Sequence, residues 1–393
     1  MTTLFRGGLV FDGKGRILEG HGVLIDGDRI VKIASHGEFA GFEGDQVDTS
    51  GGTLMPGLTD CHVHFCMPGT SDPKSTMDKM SDGDITMMAF KHSQWTLRGG
   101  VTSVRDCGGK DYLEFAVRDA IKRGDCEGPT MHASGKMICM TGGHGNRLGR
   151  IADGCDDVIK GVREQIHAGC DMVKIMATGG IMTPGVNPED AHYSPEEMRA
   201  GVQEARRFHK RTASHAQGQD GILNAVRAGI HSIEHGIFMN ETCVDEMLKD
   251  GVYLVPTISA LKNILTNKGN GVPDYVVEKT ERVAVHHVKS FKDFYAAGGK
   301  IAMGTDAGTP YNLHGQNAEE LKFMVDYGMS PVDALVCGTF NGADLMGVED
   351  QGYIGEGARA DLLVVNGNPV DDITMASSKD NHRAVYKNGI VFG

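Results

Sequence analysis

The middle of the chain alternates strand-like apolar runs with helical patterns eight times, and this alternation constrains the fold most strongly. Helix starts lie between the runs, as at Ser194-Pro195-Glu196-Glu197, Asn240 and Ser330. Eight strands that alternate with helices predict an α/β fold, a (β/α)₈ TIM barrel with its active site on the loops after the strands. The strand-like runs are Leu54–Asp60, Val101–Asp106, Thr130–Met137, Met172–Ala177, Thr212–His215, His231–Glu234, Val252–Thr257 and Lys300–Thr305.

Short strand-like runs joined by glycine turns occupy both ends of the chain. They predict one small β-sandwich domain formed from both ends, residues 1–55 plus 356–393, around a barrel domain of residues 56–355. The chain of 393 residues is long enough for a barrel of roughly 250 residues and this accessory domain. The terminal runs are Leu4–Phe11, Gly22–Ile25, Arg29–Ile33, Asp361–Val365, Ala384–Tyr386 and Ile390–Phe392.

Composition and charge exclude several classes of partner. The formal net charge is −13 and no basic block is present, so nucleic acid is not expected. No stretch has the length of a membrane span, and the N-terminus lacks the apolar core of a signal peptide. The nine cysteines are scattered without a CxxC motif, which is typical of reduced thiols in a cytoplasmic protein. A small-molecule substrate is therefore the expected partner, and self-association into a homo-oligomer stays open.

Two histidines, His62 and His64, lie at the end of the first strand-like run of the middle region. Residues i and i+2 of a strand point to the same side, so both imidazoles can reach one metal ion. An HxH pair by itself is a weak signal. The preceding Met55-Pro56-Gly57-Leu58 segment strengthens the prediction of a metal site.

One lysine, Lys174, lies within the apolar strand-like run Met172-Val173-Lys174-Ile175-Met176. A buried ammonium group without a partner would be costly there. One interpretation is a lysine that pairs with a carboxylate inside the barrel. The other uses the neutral amine that burial favours, because this amine can add carbon dioxide and form an anionic carbamate able to bridge two cations.

Three more potential ligands, His215, His235 and Asp306, each end a strand-like run. Together with the first two histidines and the lysine, they predict that nitrogen and oxygen donors gather at the carboxyl ends of the strands. Such donors suit zinc, with manganese, cobalt or nickel as substitutes.

The order HxH, Lys, His, His and Asp resembles the binuclear metal signature of the amidohydrolase superfamily, over nearly the whole chain. Three further motifs resemble the branch of imidazolonepropionase-like proteins and metal-dependent Xaa-Pro dipeptidases or N-acyl-amino-acid hydrolases. These motifs are Thr141-Gly142-Gly143-His144-Gly145, Met176-Ala177-Thr178-Gly179-Gly180 and Ile233-Glu234-His235-Gly236.

The resemblance implies two divalent metal ions and a carboxylated lysine. A hydroxide between the metals would attack the C–N amide bond of a dipeptide or an N-acyl-amino acid. Asp306 would accept the hydroxide proton and pass it to the leaving nitrogen. The implied ligands are His62, His64 and Asp306 for one metal, His215 and His235 for the other, and the carbamate of Lys174 as the bridge.

Three residues on predicted loops are candidates for binding substrate. The resemblance implies that His144 contacts the substrate and helps to stabilise the tetrahedral oxyanion, so it is a candidate catalytic residue too. Arg147 and Tyr193 are candidates for engaging a substrate carboxylate, and both are equally compatible with a role on the surface.

Two other features point to structural roles. The pair His286-His287 lies in a predicted helix, Glu281–Phe294, and is expected on its solvated face. Most of the 21 methionines are expected to fill the core, while several near the barrel mouth would shape an adaptable pocket.

Other functions on the same scaffold remain as alternatives. A deaminase is disfavoured, because the segment after His215, Ala216-Gln217-Gly218-Gln219, contains no acid to serve as proton shuttle. Hydrolysis of a cyclic amide, a lactone or a phosphotriester remains open. A non-enzymatic relative that keeps the barrel as a scaffold would be expected to have lost ligands, whereas all of them are present.

Overall fold

The computed structural model describes residues 2–392 and shows an α/β chain with parallel strands, as predicted. The strands are β1 (Thr2–Arg6), β2 (Leu9–Phe11), β3 (Ile17–Leu18), β4 (His21–Asp26), β5 (Arg29–Ser35), β6 (Asp45–Asp48), β7 (Gly52–Pro56), β8 (Leu58–Val63), β9 (Val101–Asp106), β10 (Thr130–Ala133), β11 (Ile138–Cys139), β12 (Arg150–Ile151), β13 (Met172–Met176), β14 (Arg211–Ala216), β15 (Ser232–His235), β16 (Tyr253–Val255), β17 (Leu362–Asn366), β18 (His382–Lys387) and β19 (Ile390–Phe392).

Most of the helices follow the parallel strands in the middle of the chain. They are α1 (Pro73–Met77), α2 (Asp82–Arg98), α3 (Leu113–Arg123), α4 (Cys155–Ala168), α5 (Pro195–Arg207), α6 (Gln219–Ala228), α7 (Glu241–Asp250), α8 (Ile258–Thr266), α9 (Asp274–Ala296), α10 (Glu319–Asp326), α11 (Pro331–Cys337), α12 (Phe340–Met346) and α13 (Thr374–Ser377), with 3₁₀ helices at His36–Phe39 and Lys379–Asn381. Within residues 2–392, no helix combines the length and the apolar character needed to cross a membrane.

The predicted helix starts are confirmed by the side chains that cap them. Ser194 begins α5 with a capping box, in which its hydroxyl accepts from the Glu197 amide and the Glu197 carboxylate accepts from the Ser194 amide. The side chains of Asn240 and Ser330 likewise accept from backbone amides at the starts of α7 and α11. These caps supply partners for amides that the first turn of a helix leaves free.

The parallel strands form two sheets, with the orders β10-β9-β8 and β12-β11-β13-β14-β15-β16. The segment that follows α9 lies between β16 and β8, since Leu254 and Ile301 form a parallel bridge and so do Val63 and Ala307. The predicted eighth strand, Lys300–Thr305, is therefore hydrogen-bonded on both sides but does not form a regular ladder. Its backbone departs from the extended conformation at Asp306, which has a φ of 60°.

Strands from both chain ends share one sheet, with the order β19-β18-β17-β7-β2-β3. In its centre β7 pairs with β17 in antiparallel register, with Thr53 opposite Val365. A second sheet of order β5-β4-β1-β6 packs its apolar side chains against this one, and Phe5 and Ile25 meet Leu362 in a buried cluster. β7 leads directly into β8, so this sheet supports the strand that carries the two histidines of the HxH pair.

The expectation that both His286 and His287 lie on a solvated face is wrong for His287. Helix α9 buries His287, which is 1% exposed and donates from Nε2 to the Pro256 carbonyl oxygen at 2.9 Å. Consecutive residues of a helix point about 100° apart, so the two histidines of this pair do not share one environment.

A buried ion pair stabilises the terminal strands and generates a stability prediction. The Lys387 ammonium donates to Asp361 at 2.6 Å, and both side chains are almost fully buried. Asp361→Asn would leave the ammonium buried without its counter-charge, so we expect the free energy of unfolding to fall by about 3–5 kcal/mol. Urea-induced unfolding measures this change.

The matched control is Asp293→Asn, which breaks the exposed pair with Lys289 and should cost less than about 1 kcal/mol. Similar losses of unfolding free energy in the two variants would contradict the prediction. They would show that burial does not determine how much the Lys387–Asp361 pair contributes to stability.

Candidate active site

The six predicted metal ligands converge on one cavity of about 330 Å³. The Asp306 carboxylate lies 3.2 Å from His64 Nε2 and 3.5 Å from His62 Nε2. Ligand atoms of His62, His235 and Asp306 lie within 4.8 Å of one another. His215 completes the group, since its ring centroid lies 4.6 Å from the ring centroid of His235. The structure thus brings together side chains from β8, β13, β14, β15 and the 301–307 segment.

Each of the four imidazoles has one ring nitrogen engaged by a neighbouring group. His62 Nδ1 donates to Glu234 at 2.8 Å, and His64 Nδ1 donates to the Gly108 carbonyl oxygen at 2.8 Å. His215 Nε2 donates to a carbonyl oxygen at 2.8 Å, and His235 Nδ1 pairs with a threonine hydroxyl at 2.7 Å. These partners set the ring orientation and leave the opposite nitrogen available, the arrangement that metal-ligating histidines show in general.

Burial keeps three of these imidazoles in the form that binds metals. It lowers the pKa values of His62, His215 and His235 well below the ordinary range, and nearby positive charges act in the same direction. At His64 burial is outweighed by contact with the Asp306 carboxylate, and the pKa is raised. A neutral imidazole offers a lone pair to a cation, whereas a protonated ring does not. The donor set therefore fits divalent metal ions.

Glu234, which the sequence analysis did not single out, orients the His62 ring by accepting a hydrogen bond from its Nδ1. Its carboxylate is fully buried and binds the Arg105 guanidinium at 2.7 Å as well as the His62 ring. Arg105 in turn donates to the Cys61 carbonyl oxygen and to the Ser232 hydroxyl. Burial opposes the charge on Arg105, yet contact with Glu234 raises its pKa above the ordinary value. Two features of the sequence could have pointed to this network: an arginine within the strand-like run of β9, and a glutamate directly before a predicted ligand histidine.

Two of the predicted ligands occupy an unusual backbone conformation. His235 has a φ of 74° and Asp306 a φ of 60°, both in the left-handed region that residues other than glycine rarely adopt. Such conformations are costly and cluster at functional sites, where the surroundings enforce them. The strain here aims both side chains into the cavity.

The environment of Lys174 favours one of its two interpretations. Its side chain is buried, and Nζ lies 3.5 Å from His62 Nε2. Among residues 2–392, no carboxylate forms an ion pair with Lys174 within 4 Å. Lys174 therefore lacks the partner that the first interpretation, a lysine paired with a carboxylate, requires. Lys174 lines the cavity with the ligand histidines.

The three candidate substrate residues occupy different places. His144 lines the cavity, its ring centroid is 4.5 Å from that of His215, and burial lowers its pKa to about 3. Arg147 also lines the cavity and forms an ion pair with Asp78. Tyr193 does not reach the cavity, because its buried hydroxyl donates to the Ala152 carbonyl oxygen at 2.8 Å. We therefore assign no substrate contact to Tyr193.

The cavity wall also contains residues that the sequence did not identify individually. Lys74 and Gln217 add polar groups to it, while most of the remaining wall is apolar. Methionines are prominent there, in line with the expectation of an adaptable pocket at the barrel mouth. They are Met67, Met77, Met137, Met176 and Met182.

The family model of the Amidohydrolase family matches residues 53–391. The chain belongs to this family. The assignment made from the HxH, Lys, His, His and Asp pattern is therefore confirmed, together with the prediction of a hydrolase that acts on carbon–nitrogen bonds.

Several relatives of this amidohydrolase span nearly all of its length. Ochratoxinase from Aspergillus niger is 31% identical over 100% of this chain and 86% of its own. A crystal structure of a Xaa-Pro dipeptidase with methionine bound in the active site is 33% identical, with a TM-score of 0.91 and full coverage of both chains. A prolidase solved with N-methylphosphonate-L-proline is 29% identical, with a TM-score of 0.90, over 100% of this chain and 99% of its own.

The buried Glu234 network of this amidohydrolase predicts a loss of metal affinity in Glu234→Gln. A glutamine cannot balance the Arg105 charge, and it weakens the hydrogen bond that fixes the His62 ring. We expect metal affinity to fall by about 10–100-fold, as for other partners that orient metal ligands. Competition titration with a chromophoric chelator measures the change.

The control for this prediction is Glu246→Gln, which alters an ion pair with Arg227 on the surface. If the chelator titration gave the wild-type affinity for Glu234→Gln, the carboxylate would have no role in holding His62.

Proposed function

We propose that this amidohydrolase is a binuclear metal-dependent enzyme that cleaves the C–N amide bond of dipeptides or N-acyl-amino acids. The observation that carries the proposal is the convergence of four imidazoles, a lysine and an aspartate on one cavity. One nitrogen of each imidazole ring is hydrogen-bonded to a neighbouring group, so the other nitrogen is available to a metal. Relatives that act as a Xaa-Pro dipeptidase and an ochratoxinase support an amide substrate.

The proposed architecture is a closed (β/α)₈ barrel of residues 56–355, with a β-sandwich domain from residues 1–55 and 356–393. The parallel bridges of Ile301 and Ala307 support closure, since they connect the two parallel sheets through the eighth segment. Asp60 adds a further link there, because its carboxylate accepts from the amides of His62 and Thr305. In this architecture the ligands lie at the face of the barrel where catalytic residues are found.

Two divalent metal ions, with zinc preferred and manganese, cobalt or nickel as substitutes, would be held by the residues of the cavity. When bound, a pair of adjacent cations lowers the pKa of water and polarises a carbonyl group. His62, His64 and Asp306 would hold one metal, and His215 and His235 the other.

Lys174 would join the two metals as a carbamate. Its buried Nζ has no carboxylate partner within 4 Å among the described residues, and it lies 3.5 Å from His62 Nε2 in the cavity that the other predicted ligands line. Addition of carbon dioxide to the neutral amine forms an N–C bond and releases a proton. The product is an anion with two oxygen donors, so a buried amino group that has no carboxylate partner becomes a metal-binding group.

Asp306 and His144 would act directly on the reacting groups. The Asp306 carboxylate would accept a proton from the attacking water and return it to the nitrogen of the leaving group. His144 is neutral because burial lowers its pKa, so its ring can donate a hydrogen bond to the oxyanion without carrying a charge.

The substrate would carry a free carboxylate beside the scissile nitrogen. A carboxylate needs donors that compensate for its desolvation, and the carboxylates among the metal ligands supply none. Besides Lys174, the cavity wall contains the cationic side chains of Arg147 and Lys74, and Arg147 is already oriented by Asp78. The prolidase solved with a phosphonate of L-proline takes a ligand of this general kind.

The metal proposal predicts about two divalent ions per chain after growth with zinc and bicarbonate. Lys174→Ala should retain no more than one, because the bridging donor is gone, and its turnover should be lost. Elemental analysis of purified protein measures the content, with Lys289→Ala as a surface control. A wild-type protein that saturates at one metal would refute the binuclear site.

The substrate proposal is tested with an N-acyl-amino acid and its C-terminal amide, assayed side by side. We expect the free acid to be cleaved with at least about tenfold higher kcat/KM, since a charged hydrogen bond is lost in the amide. Equal rates on acid and amide would show that the carboxylate is not recognised.

Asp306→Asn should lower turnover on both compounds by several orders of magnitude, while His144→Ala should reduce kcat/KM without removing metal.

A further inference from the structure

A loop of residues 178–191 covers one side of the cavity and is closed at its base by a bridge between Thr178 and Ala191. We call it the cover loop. It contributes Ile181, Met182, Thr183 and Pro184 to the cavity wall. Its apolar side chains therefore face the space that a substrate would occupy.

The cover loop also sets the position of His144 through two contacts. The Thr183 hydroxyl lies 2.8 Å from His144 Nδ1. Gly180 packs flush against the same ring, since a β-carbon added at Gly180 would lie 2.6 Å from His144 Nε2. A shift of the loop would therefore move the imidazole as well as the cavity wall.

Helix α9 holds the cover loop from the outside with one face. Tyr275, Lys279 and Arg282 follow the spacing i, i+4, i+7, which places them on one side of the helix. The Tyr275 hydroxyl donates to the Met182 carbonyl oxygen at 3.1 Å, and Arg282 forms an ion pair with Glu189.

Lys279 makes the central contact of this face. Its ammonium donates to three carbonyl oxygens of the loop: those of Gly180 at 3.3 Å, Thr183 at 2.8 Å and Val186 at 2.6 Å. Among residues 2–392, no carboxylate pairs with it within 4 Å. Its three donors are thus committed to the loop backbone, and a neutral side chain of the same length would supply none of them.

We propose that Lys279 is a positioning residue of the active site, which fixes the cover loop and through it the His144 imidazole. The functional part of this proposal rests on the proposed contact between His144 and substrate. Tyr275 supports the same loop at a neighbouring carbonyl and acts in the same direction with a smaller effect. Lys279 contacts none of the predicted metal ligands itself, while the cover loop reaches one of them at Gly179, whose carbonyl oxygen accepts from His215 Nε2.

Lys279→Met tests the proposal, because methionine keeps an unbranched side chain that extends as far as the lysine Cε and removes every donor. We expect amide hydrogen exchange in residues 180–186 to become about tenfold faster, and KM to rise about tenfold with a smaller change in kcat. Metal content is measured in parallel and the KM values are compared at equal metal occupancy, because the Gly179 carbonyl oxygen of the same loop accepts from His215. The control is Lys289→Met, which removes an exposed lysine from the same helix.

Tyr275→Phe provides a second variant with a milder change, should Lys279→Met fail to fold. It removes one hydrogen bond, and we expect roughly threefold effects on exchange and KM. A lower melting temperature with unchanged KM in both variants would overturn the proposal, since it would show a contribution to stability alone.

A readout that needs no substrate separates this proposal from the proposed function. The nitrogen chemical shifts of the His144 ring report its hydrogen bond with Thr183, and they should change in Lys279→Met. Wild-type shifts and wild-type exchange in that variant would overturn the positioning role. Failure of the wild-type protein to cleave any acyl-amino acid or dipeptide would refute the substrate proposal instead.

Discussion

The hydrogen bonds and the ion pair of the buried Glu234 carboxylate are the interactions on which the candidate metal site depends. The carboxylate accepts from His62, from Arg105 and from the Ser232 hydroxyl, so it joins β15 to β8 and β9 of the other parallel sheet. A charge in such a place is tolerated only when it is fully paired. Because Arg105 neutralises the carboxylate and also holds the Cys61 carbonyl oxygen, the strand of the HxH pair is fixed on the same network that orients its first histidine.

The candidate site also requires the backbone to depart from regular strand geometry at two of its residues, His235 and Asp306. Strand periodicity explains why His62 and His64 share a side, since they are two residues apart. It does not explain why Glu234 and His235, which are adjacent, both reach His62. The positive φ of His235 interrupts the alternation at the end of β15 and turns the second side chain inward. The same conformation at Asp306 breaks the eighth strand and aims its carboxylate at the histidines.

The sequence predicted the α/β class and the six residues that converge, because strand ends and ligand types are local properties of the chain. It could not identify Lys279, whose role arises from a helix that packs on a loop distant in sequence. It also misplaced His287, and it left Tyr193 open between substrate binding and a role on the surface, whereas the Tyr193 hydroxyl is buried and donates to the Ala152 carbonyl oxygen. Both cases have one cause: whether a polar residue on a helix or loop is buried depends on the element packed against it, and no local pattern records that element.

The pairing of β7 with β17 has a consequence for how the protein matures during synthesis. The strand that leads into the HxH pair finds its central partner only in Leu362–Asn366, close to the end of the chain. Contacts between such distant segments form late, since the chain between them must first be ordered. We therefore expect that chains lacking β17 do not complete the native cavity, so that metal loading follows the pairing of these two strands and does not guide the earlier folding.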